Sequence, residues 1–105
     1  MLFIETPIFT KLVSKLLPDE DYRKIQLALV LRPEAGKIIP DSSGLRKIRW
    51  KDHGSGKRGG LRLIYFWDVP KDTIYMLLIY KKSKQKDLAS NQLKTLRNLV
   101  KEMLR

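Results

Sequence analysis

The residues best suited to chemistry in this chain are cations. Residues 45–51 read LRKIRWK, residues 54–62 read GSGKRGGLR, and residues 80–86 read YKKSKQK. Guanidinium and ammonium groups in such number meet anions, and a phosphodiester is an anion that several of them can share. Groups for other chemistry are scarce. The chain has no cysteine and a single histidine, His53. That excludes a disulfide scaffold and cysteine-ligated zinc or iron–sulfur sites, and no metal or other cofactor is expected.

The glycine-rich stretch invites a nucleotide reading, because its first six residues, GSGKRG, satisfy G-x-G-x-x-G. That fingerprint needs a helix directly behind it, whose N-terminus receives the pyrophosphate. Here the apolar run LIYFW follows, which is strand-like. A P-loop fails as well: Gly54 is two residues before Gly56, and Lys57 precedes Arg58 rather than Ser or Thr. The glycines suit a hairpin tip joining two strands. Such a tip brings Lys57, Arg58 and backbone N–H groups near a phosphodiester. Arg62 is more telling. It shares a strand face with Ile64 and Phe66, and an arginine at the edge of a core face is costly unless its guanidinium meets an anion. Two readings stay open: an ion pair with Asp52 or Asp68, or a phosphate clamp.

The cationic excess is regional. Lys and Arg number 22 against 11 Asp and Glu, a net charge of +11. Residues 44–86 hold twelve of the basic residues and three acidic ones, so +9 sits in the middle of the chain and +2 in the remainder. A mixed solubilising surface would not gather its excess this way; a surface that attracts polyanions would. No run of about 20 apolar residues exists to span a membrane, and MLFIETPIF lacks the basic segment and cleavage site of a signal peptide. A cytoplasmic protein with no membrane partner is expected.

These groups must be carried by a small scaffold. At 105 residues the chain is expected to form one domain, residues 1–105. Leu2, Phe3 and Ile4 suggest a first strand. Thr6 and Pro7 open a helix as cap and first-turn residue, with Phe9, Leu12, Val13 and Leu16 at helical spacing. Asp19, Glu20 and Asp21 suit the positive end of a second helix, carrying Tyr22, Ile25, Ala28 and Leu29 and ending near Arg32 before Pro33. Residues 33–44 read as a connecting loop. In LRKIRWK, Arg46, Ile48 and Trp50 share one face, and Leu45, Lys47, Arg49 and Lys51 the other. LRLIYFWD and TIYMLLIY are apolar on both faces, as central strands are, with VPKD as the turn between them. A helix over 87–104 places Leu93, Leu96, Val100 and Met103 in a stripe. The order β-α-α-β-β-β-α predicts an α+β fold, with a helical hairpin and a C-terminal helix packed on a mainly antiparallel sheet.

LRKIRW, GSGKRGGLRLIYFW and IYMLLIYKKSKQKDL, in that order, resemble the RelE-like toxins of bacterial type II toxin–antitoxin systems (the RelE/ParE superfamily), especially the HigB-type branch. The resemblance covers nearly the whole chain. It implies a metal-independent, ribosome-dependent endoribonuclease that cuts messenger RNA in the ribosomal A site and inhibits translation. The ribose 2′-hydroxyl attacks the adjacent phosphate, leaving a cyclic phosphate and a 5′-hydroxyl. It also implies a cognate antitoxin, expected to be a helix-turn-helix DNA-binding protein, through which alone promoter DNA would be met. Carried over by position, Lys47, Arg49, Arg62 and Lys82 form the catalytic set. Arg46, Lys57, Arg58, Tyr80, Lys81, Lys84 and Lys86 are assigned to RNA binding. Two departures stand out: Lys84 replaces a common glutamate, and Leu88 stands where the best-known branch has a catalytic tyrosine.

The implied chemistry needs in-line placement, a proton acceptor and stabilisation of a dianionic phosphorane. Arg62, with Lys82 or Arg58, can supply the last. A free lysine, with a pKa of ~10.4, is protonated at neutral pH, but crowding among cations lowers it. Lys47 is the first candidate acceptor and Lys82 the second. His53 reads as an exposed loop residue, Asp52, Asp68 and Asp72 as turn residues, and Trp50 and Trp67 as core. Two other functions fit the same fold or charge: a ParE-like gyrase poison that cuts no RNA, and a non-catalytic nucleic-acid-binding module.

Overall fold

The computed structural model describes residues 1–51 and 60–105. Lys57, Arg58, Asp52, His53 and most of the glycine tip therefore lie outside the described residues. The elements are β1 (Leu2–Glu5), α1 (Pro7–Leu16), α2 (Asp19–Leu31), β2 (Lys37–Ile38), β3 (Arg46–Trp50), β4 (Leu61–Asp68), β5 (Thr73–Lys81) and α3 (Ser90–Met103). They form an α+β structure around a five-stranded sheet of order β1-β5-β4-β3-β2. Only β1 runs parallel to its neighbour, β5; the other pairs are antiparallel.

The expected elements are present, with two differences. The stretch 33–44 contains β2, whose Lys37 and Ile38 stand opposite Lys47 and Arg46. Two residues carry too little alternation to read as a strand; the open edge of β3 recruits them. Ser42 then reverses the chain, its hydroxyl donating to the Ile39 carbonyl and accepting from the Leu45 N–H at 3.0 Å. The last helix begins at Ser90, not near 87, because Ala89 is extended and serves as its cap. Asp87 and Leu88 are thereby left in the segment before the helix.

Each face of the sheet is covered. Phe9, Val13 and Leu17, with Ile25 and Leu29 of α2, pack on Leu61, Leu63, Tyr65, Ile74, Met76 and Ile79. Leu96 and Val100 of α3 pack on the other side with Leu45, Ile64, Tyr75, Leu77 and Tyr80. Strands β4 and β5 are thus buried on both faces, which is why they read as continuous apolar runs. Their ladder slips by one residue. Ile64 stands opposite Leu78 but Tyr65 opposite Met76, so Leu77 is an extra residue in β5. Leu77 and Leu78 consequently fall on the same side of the sheet. The Leu77 carbonyl accepts a hydrogen bond from the Thr6 hydroxyl at 2.9 Å. Thr6 also caps α1 as the sequence predicts, accepting from the Phe9 N–H at 3.1 Å.

Tyr65 ties the loop after α2 to the sheet. Its buried hydroxyl donates to the Pro33 carbonyl at 2.7 Å and accepts from the Gly36 N–H at 2.8 Å. A methyl group on Gly36 would stand 2.7 Å from a Tyr65 ring carbon and 3.1 Å from the Lys47 carbonyl. The ring is fully buried and bonded at its tip, so it has no room to retreat. Gly36→Ala is expected to cost about 1–3 kcal/mol in chemical denaturation; a change within about 0.5 kcal/mol would show that this approach is not a constraint.

Candidate functional site

Strand register assembles the site. In an antiparallel sheet, residues directly opposite each other project to the same face. Arg49 of β3 stands opposite Arg62 of β4, and Arg62 stands opposite Tyr80 of β5. These three form one row across adjacent strands, which lie about 4.8 Å apart. Lys47 falls on the same face one step along β3, opposite Ile64. The face is the one covered by α3, since Ile64 and Tyr80 belong to that half of the core. Two arginines directly opposite each other concentrate positive charge at one spot on this face.

The row is sunk into the protein to different depths. Arg62 is 5% exposed and Tyr80 8%, whereas Lys47 is half-buried and Arg49 exposed. One guanidinium nitrogen of Arg62 donates to the Leu61 carbonyl at 3.3 Å. A cleft of about 620 Å³ opens beside the row, lined by Lys47, Arg49, Tyr80 and Asp87, with an apolar wall of Ile38, Ile39, Pro40, Leu88 and Leu93. Lys47 Nζ stands 3.3 Å from the exposed Asp87 carboxylate. Burial, and then the Asp87 carboxylate, push the Tyr80 phenol up, while Arg62 pulls it down. The phenol therefore holds its proton at neutral pH.

The other predicted residues divide around this centre. Lys82 lies just beyond β5, its N–H donating to the Gly60 carbonyl at 3.1 Å, and is exposed. Lys84 and Lys86 are exposed in the same turn region, and Lys81 is half-buried at the end of β5. Arg46 falls on the opposite face, with Ile48, and its guanidinium donates to the carbonyls of Glu34 and Gly36 at 3.1 and 2.8 Å. Those bonds brace the loop that carries β2 and leave the residue away from the cleft. Asp68 ends β4 at the far end from Arg62, so an Arg62–Asp68 pairing does not match the fold. An Arg62–Asp52 pairing lies outside the described residues. Trp50 and Trp67 pack against the helical-hairpin core, on the side away from the row.

Two features went unassigned in the sequence. Asp87 brings a carboxylate into the cleft, and the signal for it is a lone acid closing the cationic run YKKSKQKD. One side of the apolar wall, Ile38, Ile39 and Pro40, comes from β2 and its turn, which had no strand signal. Among the described residues, no helix is long and apolar enough to cross a membrane.

No protein-family model matches the chain. Among solved structures, the chain is similar to a doubly substituted form of the E. coli toxin RelE in its free state. The two are 19% identical, over 81% of this chain and 86% of that one, with a TM-score of 0.59. It is also similar to a chain of the intact E. coli RelBE toxin–antitoxin complex, at 23% identity over 76% of this chain and 94% of that one, with a TM-score of 0.55. At these identities the likeness establishes a shared fold, the one expected from the sequence.

Proposed function

We propose that this chain is the toxin of a type II toxin–antitoxin pair, of the HigB-type branch, and that it cleaves messenger RNA in the ribosomal A site. The carrying observation is the row Arg49–Arg62–Tyr80 with Lys47 beside it. It places three cations and a phenol on one face, with Lys47, Arg49 and Tyr80 lining a cleft that has an apolar wall. The fold is that of a protein named as a toxin, found also in a toxin–antitoxin complex. Cleavage by a 2′-hydroxyl asks for such a site: fixed positive charge where the phosphorane develops, and a wall against which a displaced base can rest.

In this reading Arg62 is the central clamp, its planar fork meeting two phosphate oxygens. Arg49 approaches from the exposed side. The ammonium of Lys47 meets Asp87 rather than standing alone, which makes Lys47 a further cation on the phosphate and Asp87 the proton acceptor. Lys82, Lys81, Lys84 and Lys86, with Lys57 and Arg58, steer and hold ribosomal and messenger RNA. The single domain acts in the cytoplasm, restrained by a cognate antitoxin that covers the cationic face.

Mapping 5′ ends of ribosome-bound transcripts shortly after induction tests the reading. Breaks within the A-site codon, bearing 5′-hydroxyls, are the expected result, together with arrested growth. Intact transcripts with translation continuing would overturn it. DNA damage and filamentation in that experiment would point to a gyrase poison, and salt-sensitive RNA binding without breaks to a plain binding module.

A further inference from the structure

We propose that the Tyr80 hydroxyl is the general acid that protonates the leaving 5′-oxygen; this rests on the endonuclease reading above. The hydroxyl is buried and has no hydrogen-bond partner among the described residues. Tyr80 itself is 8% exposed and lines the cleft. A buried hydroxyl left unpaired is a standing cost to the fold. A site that keeps such a group next to a cationic row has a use for it once the row is occupied.

The alternatives within the cleft are poor donors for that position. Arginine does not give up its proton in proteins, which removes Arg49 and Arg62. Lys47 is engaged with Asp87. Lys37 lies on the edge strand, three strands away from β5 in the sheet. Leu88 and Leu93 carry no transferable proton. Tyr80 carries a transferable proton and stands next in the row to Arg62, so a phosphate gripped by that guanidinium brings a bridging oxygen toward the phenol.

The step balances within the site. The 2′-oxygen forms a bond to phosphorus as its proton passes to the Asp87 carboxylate. The bond between phosphorus and the 5′-oxygen breaks, and that oxygen takes the Tyr80 proton. The products are a 2′,3′-cyclic phosphate and a 5′-hydroxyl. Tyr80 is left as phenolate opposite Arg62, whose charge favours that form, until water returns the proton.

Single-turnover cleavage of ribosome-bound messenger RNA by wild type and Tyr80→Phe tests the assignment. Two substrates are compared: the natural one, and one whose scissile 5′-oxygen is replaced by sulfur. A thiolate leaves without being protonated, so loss of the acid is felt on oxygen alone. Tyr80→Phe is expected to be slower on the oxygen substrate by about 10²–10⁴-fold and to match wild type within about threefold on the sulfur substrate. Its melting temperature is expected to equal or exceed that of wild type, because the deleted oxygen has no partner among the described residues. Equal slowing on both substrates, or no slowing on oxygen, overturns the assignment. A clearly lowered melting temperature, or failure to fold, does the same by revealing a structural partner. Failure of wild type on both substrates overturns the endonuclease reading itself.

Discussion

Arg62→Ala is expected to slow cleavage of ribosome-bound messenger RNA by about 10²–10³-fold, the usual consequence of losing one preorganised group at a developing charge. Arg62 is the most deeply set cation of the row, 5% exposed, between Arg49 on one side and Tyr80 on the other. Charges act more strongly where water is excluded, so its removal should exceed that of Arg49, which is exposed. Arg62→Lys keeps the charge and loses the fork. It should recover part of the rate and remain about tenfold below wild type. The measurement is single-turnover cleavage, paired with a thermal melt to show that each variant is folded. Cleavage by folded Arg62→Ala at near wild-type rate would remove the arginine from the mechanism.

Thr6→Val is expected to destabilise the protein by about 2–4 kcal/mol, the sum of a lost helix cap and a buried carbonyl left without a donor. Thr6 is 1% exposed, and its hydroxyl serves the Phe9 N–H and the Leu77 carbonyl together. Valine has nearly the same shape, so the cost is assigned to hydrogen bonding rather than to a cavity. The melting temperature should fall by roughly 10 °C or more, and Thr6→Ser should recover most of the loss. A melting temperature unchanged by Thr6→Val would mean that the extra residue in β5 is held by the sheet alone.

Local signals in the sequence translated into structure well. Thr6 and Pro7 start α1 because a cap needs only a side chain and its next turn. The alternation of LRKIRWK put Lys47 and Arg49 together and set Arg46 with Ile48 and Trp50, and the strand obeys it. That alternation already separated Arg46 from Lys47; the abundance of charge hid the consequence. Non-local features were harder to read. Strand β2 exists because the edge of β3 is open, not because Lys37 and Ile38 favour extension. The delayed start of α3 leaves Asp87 beside Lys47, a contact between residues 40 positions apart that no periodicity announces. The row itself depends on register, which the apolar runs of β4 and β5 leave unspecified because both of their faces are buried.

The extra residue at Leu77 sets the phase of everything after it. Before it, Ile74 and Met76 meet the helical hairpin and Tyr75 meets α3; after it, Ile79 meets the hairpin and Tyr80 meets α3. Without that one-residue slip, strict alternation would send the phenol to the hairpin side and turn Ile79 toward Arg62. The pairing phase of β5 therefore carries chemical information independent of which apolar residues fill the strand. Deleting Leu77 alone would restore strict alternation and leave Tyr80 opposite Arg62, whereas drawing β5 at its present length into a regular ladder would dismantle the row while sparing every cation.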